Sequence, residues 1–247
     1  MAQWLTGRVV ENKYWGGQLH SLRVDAEIAP FAAGQFIKLG LEIGGEIVSR
    51  PYSLVNAPQQ RPLDIYFIVV PDGLFTTKLG TLQAGQEVLV APRAAGFLVL
   101  SEVPQARHLW LISTGTGIGP FLSMLRTEHI WQRFERVLLV HAVRKVEELS
   151  YQDEIQGVTA AYPQQFSFIP FVSREVSALA LSGRVPQAIV DGRLEARAGI
   201  KFSASDSQVM LCGNPEMVKD TMGTLIARGL KKNKRSDPGQ ISVENYW

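Results

Sequence analysis

The chain has 247 residues, 46% hydrophobic and 19% charged, and its 25 lysines and arginines against 23 acidic residues leave a formal charge of +2. So even a balance argues against a nucleic-acid partner, and no apolar run reaches the about 18 residues of a membrane span. A globular protein of one or two domains, with no membrane partner, is the expectation.

The first hundred residues read as short alternating segments near Gly7–Val10, Gln18–Val24, Gln35–Leu39, Ile47–Leu54, Ile65–Val70 and Glu87–Val90. Turn residues separate them: Gly16-Gly17, Pro30, Gly44-Gly45, Asn56-Ala57-Pro58, Pro71-Asp72-Gly73 and Ala84-Gly85. This pattern predicts a six-stranded antiparallel Greek-key barrel over residues 1–100, with a short helix over Leu74–Leu82. The opening MAQWLTGRVVEN has neither the basic nor the apolar region of a signal peptide, so a cytoplasmic monomer is expected.

Within this half, Arg50-Pro51-Tyr52-Ser53 closes an alternating segment. Side chains two apart share one face of a strand, which sets Arg50 and Tyr52 toward the same ligand. A guanidinium for a pyrophosphate beside a ring for an isoalloxazine suits a flavin dinucleotide. An ordinary edge strand, with Pro51 where no ladder donor is needed, is the competing reading.

After Pro92 the texture changes. From His108 onward apolar runs alternate with helical patterns: LWLIS then PFLSMLRTEHI, RVLLVHAV then ELSYQDEIQ, FSFIPFVS then VPQAIVDGRLEA, QVMLCG then PEMVKDTMGTLIARG. Such βαβα alternation predicts a parallel sheet covered on both faces, and with Ile241–Val243 as its last member a five-stranded α/β nucleotide-binding domain over residues 101–247. The boundary is placed near Phe97–Pro104.

Thr114-Gly115-Thr116-Gly117-Ile118-Gly119-Pro120 lies between a strand and a helix, where glycines such as Gly115 and Gly117 let backbone approach a diphosphate. The spacing is not that of a P-loop. The next strand ends His141-Ala142-Val143-Arg144-Lys145 with no acid before Glu147, and the third ends Ser173-Arg174 with Arg184 following. Cations where a ribose-binding acid would otherwise stand favour NADP(H) over NAD(H). Cys212-Gly213-Asn214-Pro215 ends the fourth strand: Cys212 is either a small buried hydrophobe or a nicotinamide contact, and Gly213 leaves room for the dinucleotide.

One cysteine excludes an internal disulfide and a self-contained iron–sulfur cluster, so redox chemistry must use an organic cofactor. His20, His108, His129 and His141 lack metal-ligand spacing and read as structural or surface residues, so no metal is expected. Lys231-Lys232-Asn233-Lys234-Arg235 is either a solvated basic loop or a docking patch for an acidic protein.

Taken together, RPYS, GTGIGP, the VSR segment, CGNPEM and the terminal VENYW, in this order along the whole chain, resemble the short bacterial type of ferredoxin (flavodoxin)–NADP reductase. The resemblance implies an FAD-binding barrel beside an NADP-binding domain, with hydride passing between nicotinamide and flavin N5 at their interface and electrons exchanged with ferredoxin or flavodoxin. Matched motif by motif, Arg50, Tyr52 and Ser53, next to Pro51, would hold the pyrophosphate, stack on the flavin and line its N5 edge. Tyr66, Phe67 and Ile68 with Leu74, Phe75 and Thr76 would add FAD contacts, and Thr116 would approach the flavin from the nucleotide loop. Gly115, Gly117, Val143, Arg144, Ser173, Arg174, Arg184, Gly213 and Asn214 would bind NADP, the arginines and Ser173 at its 2′-phosphate end. Tyr246 matches a tyrosine that covers the flavin, Trp247 an extension that stacks on the FAD adenine, and Glu244 and Ser53 are candidates for relaying a proton or orienting the nicotinamide. A free flavin reductase or oxygenase reductase component is the nearest alternative, and a non-catalytic nucleotide-binding relay subunit a more distant one.

Overall fold

Buried and exposed side chains alternate through the first half of the computed structural model, which describes residues 3–245. There β1 (Leu5–Gly16), β2 (Leu19–Asp25), β3 (Phe36–Ile43), β4 (Glu46–Ser53), β5 (Leu63–Ile68) and β6 (Glu87–Val90) form one antiparallel sheet in the order β4-β3-β6-β1-β2-β5. β6 returns between β3 and β1, the expected Greek-key connection. Its edges approach just past β4, where Leu54 bridges Ile65 and the Val55 amide donates to the Asp64 carbonyl at 2.8 Å. The sheet is therefore barrel-like without a closing ladder. Gly44 and Gly45, at φ 64° and 84°, make the tight β3–β4 turn that a side chain would strain. Leu22, Ile37, Leu39, Ile65 and Phe67 fill the core, each burial stabilising by about 2 kcal/mol. Helix α1 (Leu74–Gly80) adds Phe75 and Leu79 to that core.

In the second half the strands are buried almost end to end, as the apolar runs predict for a parallel sheet. β7 (His108–Thr114), β8 (Arg136–Val143), β9 (Phe166–Val172), β10 (Leu181–Ser182), β11 (Ser207–Gly213) and β12 (Ile241–Asn245) stand in the order β10-β9-β8-β7-β11-β12. The five expected strands are joined at one edge by β10, whose two residues are too few to leave a periodic signal. From β7 the chain builds outward to β8 and β9 on one side and later to β11 and β12 on the other. That reversal sets a crevice beyond the carboxyl ends of β7 and β11, the place where open α/β sheets bind ligands.

The segment read as one helix after the glycine loop is two, α2 (Gly119–Leu125) and α3 (Glu128–Arg133); Thr127 Oγ1 turns back to the Met124 carbonyl at 2.7 Å between them. α4 (Gln152–Ala161), α5 (Val185–Val190), α6 (Arg193–Ala198) and α7 (Pro215–Ala227) complete the described helices. By contacts the chain divides into two units, one reaching Val99 and including Gly119–Thr127, the other holding Leu100–Ile118 and the residues from Glu128 onward. The sequence reading assigned all of 101–247 to the second domain. Long-range bonds tie α2 and the residue after it to first-unit loops: Ser123 Oγ donates to the Asn56 carbonyl at 2.7 Å, and Arg126 donates to the Val55 carbonyl at 2.9 Å.

Candidate nucleotide-binding sites

In the first unit, β4 presents Arg50 and Pro51 exposed, Tyr52 half-buried and Ser53 buried. Ser53 is the last residue of β4 and still pairs with Phe36 of β3. Arg50 lies at the surface with Nη1 on the neighbouring Ser49 carbonyl at 2.8 Å. The Tyr52 ring packs edge-on to Phe67 at 6.0 Å between centroids and nearly parallel to Phe75 at 6.2 Å. Burial pushes the Tyr52 hydroxyl above its ordinary range, so the ring stays neutral.

Of the other residues expected at the flavin, Tyr66 is buried, Ile68 and Thr76 are partly exposed and Leu74 is 76% exposed. Phe67 and Phe75 are buried like Tyr66. At 1% and 4% exposure they are core side chains that support Tyr52 from beneath, because β5 and α1 turn those positions inward. Thr76 Oγ1 accepts the Val70 amide at 3.0 Å and so fastens the approach to α1.

In the second unit the glycine loop forms a short 3-10 turn, Gly115–Ile118, beyond β7. Gly115 has φ 52°, and its carbonyl accepts from His141 Nε2 at 2.9 Å. The acceptor identifies the protonated nitrogen. Burial pushes the His141 ring down to about 4, so it stays neutral with Nε2 as donor. His141 was read only as structural; its hold on the loop depends on β8 lying beside β7, which no local pattern encodes.

Two glycines allow the loops beyond β7 and β11 to touch. A Cβ on Gly117 would stand 2.6 Å from the Cys212 carbonyl oxygen, and one on Gly213, at φ 129°, would collide with Thr114. The position a Gly213 Cβ would take lies against Thr114. Thr114 Oγ1 also accepts the Asn214 amide at 2.8 Å. Asn214 Oδ1 caps α7, accepting from the Glu216 and Met217 amides at 2.9 and 3.2 Å. Cys212 is fully buried at the end of β11, a placement that fits its reading as a small buried side chain. Thr116 is buried in the turn.

At the ends of β8 and β9, Arg144 and Arg174 are exposed and adjacent: the Arg174 amide donates to the Arg144 carbonyl at 2.9 Å. Ser173 Oγ donates to the carbonyl of buried Val143 at 3.2 Å, and Arg184 is exposed just before α5. The nearby acids face backbone, Glu148 accepting the Arg144 amide at 2.8 Å and Glu175 the Val146 amide. Among the described residues none of these three guanidiniums forms an ion pair. The donor set therefore fits a dianionic phosphate.

Glu244, on β12 beside Cys212 in register, has a buried Oε2 without a hydrogen-bond partner among the described residues. Burial pushes its carboxyl up to about 7. Tyr246 and Trp247 lie outside the described residues. The basic segment near the terminus is less free than its composition implies: Lys231 pairs with Asp237 at 2.5 Å, and Arg235 with Glu102 at 2.6 Å.

A barrel-like unit with an exposed arginine next to a supported tyrosine, followed by a parallel sheet with a glycine turn and three exposed guanidiniums, defines a two-domain flavin- and pyridine-nucleotide-type oxidoreductase. Residues 18–93 match the oxidoreductase FAD-binding domain family and residues 111–222 the oxidoreductase NAD-binding domain family. Over 248 aligned residues, covering all of both chains, the sequence is 45% identical to the flavodoxin/ferredoxin–NADP reductase of Escherichia coli K12. It is 41% identical, again over the whole of both chains, to that of Buchnera aphidicola subsp. Baizongia pistaciae. A ferredoxin NADP+ reductase from Neisseria gonorrhoeae, solved with bound FAD and NADP, superposes over both full chains with a TM-score of 0.95 at 32% identity. The chain belongs to the flavodoxin/ferredoxin–NADP reductase family.

Proposed function

We propose that the protein transfers electrons between NADP(H) and a one-electron carrier, ferredoxin or flavodoxin, by way of FAD. The observation that carries the nucleotide half is the Arg144–Arg174 pair, whose neighbouring carboxylates bind backbone amides and leave both guanidiniums to a 2′-phosphate. Bound FAD supplies the exchange between a two-electron hydride donor and one-electron acceptors.

The chain's own residues bind, orient and exclude water. Arg50 neutralises the FAD pyrophosphate, while Tyr52, held by Phe67 and Phe75, offers a fixed ring face to the flavin. Ser53 lines the N5 edge, and Tyr66, Ile68, Leu74 and Thr76 complete the cofactor contacts. Gly115, Thr116 and Gly117 present the backbone turn to the NADP diphosphate. Arg144, Arg174 and Arg184, with Ser173, read the 2′-phosphate. Glu244 holds a proton near neutral pH or orients the nicotinamide. Tyr246 covers the flavin and Trp247 stacks on the FAD adenine, as the family resemblance implies. An acidic carrier, a monomeric state and a cytoplasmic setting belong to the same reading. The carrier is supported by the relatives' names, and the setting by a single cysteine that needs no oxidising compartment.

The visible spectrum of the purified protein tests this directly. A flavin spectrum that bleaches when NADPH is added without oxygen, with electrons then passing to ferredoxin or flavodoxin faster than to free FMN, is the expected result. A colourless protein that does not take up FAD overturns the reading. Removing Tyr246 and Trp247 should alter NADP+ affinity and speed FAD loss, and a truncated protein identical to the parent would reject the stacking roles.

A further inference from the structure

Asn12, on β1, is a polar residue on the inner side of the barrel sheet, and its amide serves the far end of α1. Its Nδ2 faces the carbonyls of Leu79, Gly80 and Leu82 at 3.3, 3.0 and 2.9 Å, at and just past the end of this helix, where the Leu79 carbonyl also accepts the Leu82 amide. Three carbonyls around the nitrogen identify the opposite atom as oxygen, and Asn12 Oδ1 lies 3.1 Å from His20 Nδ1, which must then donate. His20 pairs directly with Phe67 across β2 and β5, and the two rings stack at 5.5 Å and 27°. Phe67 meets Tyr52 edge-on, while α1 carries Phe75 against the other part of Tyr52. The contacts close on themselves. One polar pair steadies both aromatic supports of Tyr52, one by direct stacking and the other through the helix.

We infer that Asn12 and His20 are positioning residues for the flavin, setting the plane of Tyr52 through Phe67 and through α1 with Phe75. This rests on the reading that the first unit holds FAD. Neither residue needs to touch the cofactor. Loss of the Asn12 amide takes from the part-buried Gly80 and Leu82 carbonyls the donor that ties them to β1, and loss of the His20 donor frees the amide to rotate. In either case Tyr52 loses a fixed backing, and what suffers is the alignment of a stacking ring rather than a bond to FAD.

The test uses the holoprotein with Asn12→Leu, which keeps the bulk without the donors, His20→Phe, which keeps the ring without the donor, and His20→Gln, which keeps a donor. FAD dissociation rate and bound-flavin fluorescence are measured alongside affinity for 2′-phospho-AMP, a probe of the second unit. Asn12→Leu should speed FAD loss by about tenfold and raise the fluorescence that a stacked tyrosine quenches. His20→Phe should shift both in the same direction, His20→Gln, which keeps the donor for Asn12 but lacks the ring on Phe67, should shift them less than Asn12→Leu does, and 2′-phospho-AMP affinity should not move. If Asn12→Leu does not fold, His20→Phe decides. Dissociation and fluorescence unchanged in a protein whose parent is yellow and quenched would overturn the positioning role alone, as would an equal loss of 2′-phospho-AMP binding. A parent that takes up no FAD would overturn the flavin reading itself.

Discussion

The amide of Arg174 donates to the carbonyl of Arg144 at 2.9 Å, carrying the β8–β9 pairing past the sheet and making two exposed arginines backbone neighbours. Across the same loops, Glu148 and Glu175 cap backbone amides of the residues that follow β8. Arg144→Ala and Arg174→Ala should each raise the KM for NADPH by about ten- to a hundredfold, the worth of one charge-assisted phosphate contact, while the KM for NADH stays nearly constant. Steady-state kinetics with both coenzymes measures this, and equal losses for both would reject the phosphate role.

Gly117 and Gly213 let two loops meet backbone to backbone. Gly213→Ala forces a side chain into a left-handed conformation and into Thr114, so the variant should lose about 2 kcal/mol of stability and most NADP+ affinity. FAD content should be retained, because that residue belongs to the second unit. Calorimetric binding of NADP+ together with flavin absorbance separates the two effects, and undiminished NADP+ binding would show the close approach to be dispensable.

His141 is buried neutral, its value pushed down to about 4 from an ordinary 6.5. Between these values the unfolded chain takes up a proton that the folded chain refuses. The stabilising contribution is complete above pH 6.5 and is lost as pH falls toward 4, by about 3 kcal/mol in all. His141→Gln keeps a donor for the Gly115 carbonyl without titrating, so its denaturation curves at about pH 7.5 and about pH 5, one above this window and one within it, should differ less than those of the parent. An identical acid loss in the variant would assign it elsewhere.

Glu244 shifts in the opposite sense, from 4.5 up to about 7. Its protonated form is favoured in the folded chain, so its contribution is full below the ordinary value and is lost as pH rises through 7. Glu244→Gln should therefore gain relative stability on the alkaline side. If the carboxyl takes part in coenzyme turnover, the parent's rate profile should show a limb near pH 7 that is missing from Glu244→Gln. A limb that persists in the variant would remove Glu244 from the reaction.

Much of the architecture was legible locally. Period-two alternation in the first hundred residues and unbroken apolar runs after His108 mark the two kinds of sheet, because a half-exposed strand and a strand covered on both faces bury different fractions of their side chains. Arg50 with Tyr52, the Gly115–Ile118 turn and the cations after β8 and β9 were visible for the same reason, each being a short stretch whose chemistry depends on adjacent residues.

What the chain by itself determined is thus the order of its elements, the two nucleotide motifs and the absence of a second cysteine for any disulfide. Tertiary structure alone decided how those residues pack and pair. Phe67 and Phe75 support Tyr52, Thr114 stands beside Gly213, His141 secures the Gly115 carbonyl, and Glu102 takes the charge of Arg235. Thr114 and Asn214 are 100 residues apart, and Glu102 and Arg235 are 133 apart. Burial and pairing at such separations follow from which strands lie side by side, a property of the packed sheet that neither periodicity nor turn chemistry carries.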